Sequence, residues 1–397
     1  MHSQKKTANA PIKLSLYLRY KWHESCFRFI KADDCLWSAP FANNKDELMF
    51  IISRRVLKCF LLPLLAIAPI QAVLAAGDLS GTYDVGTLTP LERPVMYGDS
   101  LFLSKAEGEA IAAQARSYNE RANSDSNPAR TAPPAGGAVG GYNMFWIDRG
   151  EAASAIDGKF RTSIITAPKN GRIPAMTPYG KARMAKLQAE WRLLWRSQDL
   201  ARDQNTGQAW WLKNQDAKGP YDDIEQRPLA ERCILGSRST AGPPMLPNLY
   251  NNHKRIIQTP EHVMILTEMN HDARIIRLEG APRSGALKTW LGDSVGRWEG
   301  ETLVVETKNF GEFPPLSGAD ATLTVTEYFS RQDDGGLLYR FTIDNPKIWQ
   351  EPWGGEYPWQ QSDGKLYEYA CHEGNYAIGN IMRGARELER EALGSSG

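Results

Sequence analysis

The sequence predicts a mainly β, α+β fold: an antiparallel meander closing into a lipocalin-like barrel or a strongly curved sheet, with two N-terminal helices packed outside. Short apolar runs recur from residue 226 onward with turn signals between them, Asp333-Asp334-Gly335-Gly336 and Asp363-Gly364 among the clearest. No strand–helix–strand alternation occurs, and no glycine-rich phosphate loop follows a strand. Consecutive strands joined by short turns suit an up-and-down closure, and a β-sandwich is the nearest competitor.

Taken in order, the chain first offers an export signal. Arg54, Arg55 and Lys58 precede an apolar run over 60–76 that ends in Ala72-Val73-Leu74-Ala75-Ala76. Basic region, apolar region and small residues are the parts of a signal peptide, expected over 49–75 with cleavage after Ala75. Pro63 and Pro69 interrupt the run, which is shorter than the ~20 apolar residues of a spanning helix, so no stable membrane span is expected after cleavage, with a retained membrane anchor as the alternative. Met49 is the expected start, leaving 1–48 as a non-native stretch or a cytoplasmic extension. Ser53-Arg54-Arg55-Val56-Leu57 fits either a general or a twin-arginine signal. The expected compartment is the periplasm of a Gram-negative bacterium. Cys26, Cys35 and Cys59 would be removed there, leaving Cys233 and Cys371 as an expected disulfide, with two buried thiols as the alternative.

Ser104 with Glu107 three residues on forms a capping box for a helix reaching about residue 121. Residues 123–141, rich in Ser, Asn, Pro, Ala and Gly, read as a linker. Two short strands follow at 143–148 and 161–166. Thr177 and Pro178 start a second helix, whose Leu187, Trp191, Leu194 and Trp195 form an apolar stripe of the kind that packs a core. Residues 76–225 thus form a helical and extended part, and 226–390 a β-meander, expected to fold with it as one unit. Its strands are expected at 263–268, 273–279, 294–298, 301–307, 323–331, 337–343, 355–361 and 365–371.

With 397 residues, 42% apolar composition and a formal charge of +1, the chain can build a sizeable core and has no basic field for nucleic acid. His253, His262, His271 and His372 all lie in the β region. No HExxH and no closely spaced cysteine pair accompanies them, so neither a metal nor another cofactor is expected.

Two polar sets remain. The first is Glu268-Met269-Asn270-His271-Asp272-Ala273-Arg274, at a hairpin tip or barrel mouth; the second is Cys371-His372-Glu373-Gly374-Asn375-Tyr376, at a strand end with Gly374 bending the backbone through positive φ. In the catalytic reading His271 and His372 exchange protons, Asp272 and Glu373 orient them, and Arg274 stabilises developing negative charge. In the structural reading they are a polar turn and a strand end pinned by Cys371. Tyr250, Asn252, Glu268, Trp290, Asn375 and Tyr376 are the candidate ligand-binding residues. Trp349, Trp353, Tyr357 and Trp359 either line a site for an aromatic ligand or fill the barrel.

The segments GPPMLPNLYNN, QTPEHVMILTEMNHDARIIRLEG, WLGDSVGRWEGETLVVETKNF and YEYACHEGNYAIGNIMRGAR resemble signature segments of a large family of exported bacterial proteins of uncharacterised function. The resemblance covers roughly residues 78–388. It implies export and a single folded unit, and it carries over no catalytic residue. The leading expectation is a periplasmic or secreted domain binding a hydrophobic or aromatic small molecule, with lyase, isomerase or hydrolase chemistry as its enzymatic version. A non-catalytic envelope binding or structural protein is one alternative. A polysaccharide-processing enzyme, which needs a Trp-lined groove and paired acids, is the other.

Overall fold

A computed structural model describes residues 77–122, 129, 147–199, 209–213, 219–236 and 240–394, and of residues 190–199, 210 and 213 the backbone alone. The expected signal segment, the stretch before it, nearly all of the expected linker, most of the strand at 143–148, and the side chains of Trp191, Leu194 and Trp195 lie outside the described residues.

The elements run in the order β1 (Gly81–Asp84), α1 (Lys105–Ala122), β2 (Ala155–Ile156), β3 (Lys159–Phe160), β4 (Ile165–Ala167) and α2 (Pro178–Asp199). Then come β5 (His253–Gln258), β6 (His262–Thr267), β7 (Ala273–Arg277), β8 (Asp293–Glu299), β9 (Thr302–Lys308), β10 (Thr324–Arg331), β11 (Leu337–Asp344) and β12 (Trp353–Gln361). The chain ends in a helical turn α3 (Cys371–Gly374) and α4 (Tyr376–Gly394).

The strands β5 to β12 lie side by side in chain order, and β1 pairs with β5 on one side and β12 on the other, closing a nine-strand barrel. Closure removes the exposed sheet edges that would otherwise invite aggregation. The barrel departs from a pure antiparallel meander at one seam, where β7 and β8 pair in parallel after the long 278–292 connection. The short β4 adds to the outside of β12 at a bulge between Gly354 and Gly355, and a Cβ on Gly355 would stand 2.3 Å from the Ile164 carbonyl oxygen.

Two elements differ from expectation for one reason. Residues 77–103 read as an extended lead-in, yet 81–84 become the stave that closes the barrel. Because β1 pairs with the end of β12 and β4 with its start, the flank of β12 is taken, and the strand expected at 365–371 is irregular chain leading into α3. His372, Glu373 and Gly374 therefore sit on a helical turn and not at a strand end, and Gly374 does not have positive φ.

Ser104 and Glu107 cap α1 reciprocally: the Ser104 amide donates to Glu107 Oε2 at 2.7 Å and the Glu107 amide to Ser104 Oγ at 3.2 Å. Gly108 of this helix lies against the Phe160 ring, where a Cβ would approach to 2.3 Å. Thr177 caps α2 by accepting from the Gly180 amide at 3.0 Å.

Alternation along the strands sends Val325, Glu327 and Phe329 of β10, Tyr339 and Phe341 of β11, and Tyr357 and Trp359 of β12 into buried positions. The rings interlock, with Trp359 4.9 Å from Tyr339 and edge-on to Phe329 at 5.7 Å between centroids. Such offset and edge contacts add to the burial of large apolar surface. The interior is thus packed with side chains. Trp349 and Trp353, 5.6 Å apart and edge to face, are buried as well.

Candidate functional site

Arg274, expected to face substrate, instead lies in the barrel interior. Its guanidinium donates to Glu327 Oε1 at 2.9 Å, to Ser294 Oγ at 2.9 Å and to Thr307 Oγ1 at 2.9 Å, and it forms a second bond to Glu327 Oε2. The Tyr339 hydroxyl donates to Glu327 Oε1 at 2.8 Å. Burial and the adjacent Glu327 carboxylate hold that phenol well above its ordinary pKa. A buried ion pair is tolerable when its remaining donors and acceptors are matched, and here they are. Arg274 is a structural cation; the strand alternation of β7 that buries Ile276 buries Arg274 with it.

Residues 233–236 and 240–248, here called the strap, are bonded to the barrel. Met245 anchors it from within: its amide donates to Tyr339 Oη at 2.8 Å and its carbonyl accepts from the Tyr357 hydroxyl at 2.7 Å. Lys254, fully buried, donates to the Thr240 carbonyl at 2.6 Å and to Thr267 Oγ1 at 3.3 Å. Burial lowers the Lys254 ammonium to a pKa of about 7, with Asp272 opposing the shift. Asp272 itself accepts from the Gly236 amide at 2.9 Å, and burial raises its carboxyl above the usual range despite that bond and Lys254. Asp272 is therefore a strap anchor, not an orienter of His271.

The Cys233–Cys371 disulfide, with Cα atoms 5.7 Å apart, ties the strap to α3. Asn270 Nδ2 donates to the Cys233 carbonyl at 3.4 Å, and Asn375 Nδ2 to the Glu231 carbonyl at 2.6 Å. His271 Nε2 accepts from the Tyr369 amide at 2.8 Å. Asn252, buried, accepts from the Asn248 amide at 2.8 Å and donates to the Asn248 carbonyl at 2.9 Å, so it shapes the strap's return into β5. Tyr250 is half-buried in the turn before it. The expected residues thus divide: Asn252, His271, Asp272 and Asn375 hold backbone around the strap and disulfide, and Glu268 turns to other work.

That work is at His253. The register of β5 with β6 pairs Lys254 with Thr267, which sets His253 beside Glu268 at the end of the hairpin. His253 Nδ1 lies 3.6 Å from Glu268 Oε2, and Glu268 Oε1 accepts from Asn251 Nδ2 at 2.8 Å. On the far side of the ring, His253 Nε2 is 3.1 Å from Ser362 Oγ, which also accepts from the Gly364 amide at 3.0 Å. Ser362 directly follows β12, and its amide donates to the Thr82 carbonyl of β1 at 2.9 Å. A Cβ on Gly364 would stand 2.8 Å from Nε2 and 2.9 Å from Ser362 Oγ, so a side chain there would push the ring or the hydroxyl out of place.

Asp84 stands opposite His253 across the β1–β5 ladder. Burial lifts its carboxyl above the ordinary range; the Gly86 amide and His253 pull it back only in part, while Asp148 and Glu151 push it up. His253 therefore has a largely buried carboxylate behind it, a second acid beside it and a hydroxyl in front, with about a quarter of its side chain exposed. Non-glycine residues with positive φ gather here and on the adjoining strap: Asn251 at 55°, Asn270 at 60°, His271 at 52° and Cys233 at 56°. Strained backbone persists where surrounding structure enforces it, often beside functional groups.

His372 and Glu373 are exposed on α3, Tyr376 is exposed at the start of α4, and Trp290 is exposed on the 278–292 connection. None of these four hydrogen-bonds to His253, Glu268 or Ser362. Sequence reading missed His253 and Ser362 as a pair. The signal for the first was present: with 253–258 taken as a strand and Thr259-Pro260-Glu261 as a turn, His253 falls opposite Glu268. Ser362 depends on β1 closing the barrel, which no local pattern reveals. Among the described residues no group of three His, Cys, Asp or Glu side chains is arranged to hold a metal ion, and no helix is long and apolar enough to cross a membrane.

Comparison with protein-family models, with curated proteins and with solved structures finds no match for this chain.

Proposed function

We propose that the protein is an exported hydrolase of small apolar or aromatic molecules, in which His253 is the general base. The observation that carries this reading is the half-buried imidazole set between the Glu268 carboxylate and an outward hydroxyl. A base is useful when one ring nitrogen can take a proton and the other is steadied by a carboxylate. The 3.6 Å separation of Nδ1 from Glu268 is loose, as such contacts commonly are before substrate binds. Glu268 is a positioning residue: it favours the tautomer with hydrogen on Nδ1 and the imidazolium that forms after proton transfer.

The ligand-in-barrel version of a lipocalin-like fold is set aside, because Tyr83, Phe329, Tyr339, Tyr357 and Trp359 occupy that space. The work is assigned to the rim. Export to an oxidising compartment is supported by the disulfide and by the signal features before residue 76. Kinship with the exported bacterial family is supported by segments such as GPPMLPNLYNN and YEYACHEGNYAIGNIMRGAR. A polysaccharide-processing role finds no support in Trp349, Trp353 and Trp359, which are core residues.

The test is turnover of a panel of p-nitrophenyl esters of increasing acyl length by wild type and Glu268→Gln. Expected are turnover by wild type and, in the variant, a loss of about 10-fold or more that falls on kcat and not on KM, because the carboxylate that positions the ring is gone. Failure of the wild type to hydrolyse any member would sink the proposal.

A second reading is favoured by one observation: Asn270, Asn375, His271 and Asp272 all hold backbone around the disulfide. In that reading the chain is a non-catalytic envelope binding protein with a rigid, covalently tied end. A cleft of about 310 Å³ beside the disulfide, lined by Ala230, Ala377, Ile378 and Ile381 among others, would be its binding place.

A further inference from the structure

We propose that Ser362 is a covalent nucleophile and that the substrates are carboxylic esters, processed through an acyl-enzyme; this rests on His253 being the working base. Among the described residues Ser362 is the one serine or threonine whose hydroxyl lies on a histidine ring. Other hydroxyls in the barrel are committed elsewhere: Ser294 and Thr307 serve Arg274 in the core, and Ser163 donates to the Ile165 carbonyl. Ser362 is held at three points, by its own amide on Thr82, by the Gly364 amide on Oγ, and by the imidazole. Such fixation is what a near-attack arrangement requires.

Each neighbour has a chemical task. The His253 tautomer with hydrogen on Nδ1, facing Glu268, leaves Nε2 free to accept the Ser362 proton. The Gly364 N–H on Oγ favours the negatively charged oxygen, and it is a backbone donor placed next to the reacting centre. Glycine at 364 leaves the approach to Oγ and Nε2 clear, where a Cβ would sit within 3 Å of both. Half-buried Ser362 and exposed Asp363 leave this side open to a small ester.

The steps balance. Ser362 Oγ bonds to the ester carbonyl carbon as its proton passes to His253 Nε2. The tetrahedral oxyanion collapses, the carbon–oxygen bond to the alcohol breaks, and the imidazolium returns the proton to the departing alcohol. Water then attacks the acyl-serine, giving one proton to His253, which passes it to Ser362 Oγ as the carboxylic acid leaves. Ester and water become acid and alcohol, and no other reagent is consumed.

The test is exposure of the full-length protein to a fluorophosphonate, whose phosphorus accepts the serine oxygen as fluoride departs, followed by intact-mass measurement and peptide mapping. The expected result is one adduct, on Ser362, formed at least about 100-fold more slowly in His253→Asn. No adduct on Ser362 in the wild type, or one formed equally fast in His253→Asn, overturns the proposal. Parallel p-nitrophenyl ester kinetics separate this inference from the reading beneath it. Hydrolysis that survives in Ser362→Ala and is lost in His253→Asn removes the nucleophile and leaves the base, with water attacking directly. Hydrolysis indifferent to both substitutions removes both.

Discussion

Arg274 with Glu327 and His253 with Glu268 each set a nitrogen base side chain against a carboxylate, yet the two pairs are built in opposite ways. The first has side-chain exposures of 2% and 0%, the second 24% and 8%. In the barrel pair the guanidinium is matched to Glu327, Ser294 and Thr307, so nothing is left to recognise an outside molecule. At the rim the ring retains one nitrogen facing a serine hydroxyl and the carboxylate contact is slack. Residue type alone does not distinguish structural from chemical work; saturation of donors and acceptors, together with access, does.

That contrast can be broken most forcefully from the inside. Glu327→Ala strands a buried guanidinium and should cost about 3–5 kcal/mol in urea unfolding, whereas the double change Arg274→Met with Glu327→Met should recover most of it. A single variant no less stable than wild type would mean that the pair is not the buried structural element described. Next comes the covalent tie: removing both cysteines frees a 138-residue separation and should lower stability by about 2–4 kcal/mol, with the rim loosening before the barrel in hydrogen exchange.

Lys254 gives a pH signature. Its folded pKa of about 7 lies below the 10.5 of the free side chain, so the unfolded chain binds the extra proton between those values and stability rises with pH across that window. Below about pH 7 both states carry the proton and the full penalty of the buried charge applies, offset in part by Asp272. Lys254→Met should abolish the rise, as read from urea midpoints between pH 7 and 10; a variant with the same slope would contradict the assignment. The smallest effect on stability is expected from Gly364→Ala, which crowds His253 and Ser362 without touching the core: ester turnover should fall while thermal unfolding stays within about 1 kcal/mol of wild type.

The barrel was legible in the sequence because interior and exterior alternate with period two and turns such as Asp333-Asp334-Gly335-Gly336 mark the hairpins. The disulfide was legible from cysteine arithmetic. What local pattern could not carry was the long-range pairing: β1 joins β12 across most of the chain, and this pairing both displaces the expected strand at 365–371 and brings Ser362 to His253. Arg274 was misread because a cation next to His and Asp resembles a site, while its partner Glu327 lies 53 residues away and is invisible locally. C-terminal α4 also went unread, its apolar positions Ala385 and Leu388 being buried with Trp211 and Tyr221.

The division between a structural interior and a working rim is tested most directly by His253→Asn, which keeps a polar amide near the Nδ1 position while removing the base. Ester kcat/KM and the unfolding midpoint should be measured on the same preparation. A fall in kcat/KM of about 100-fold or more with the midpoint nearly unchanged is the predicted result. Unaltered turnover in this variant would contradict it, and would return His253 and Glu268 to the same structural class as Arg274 and Glu327.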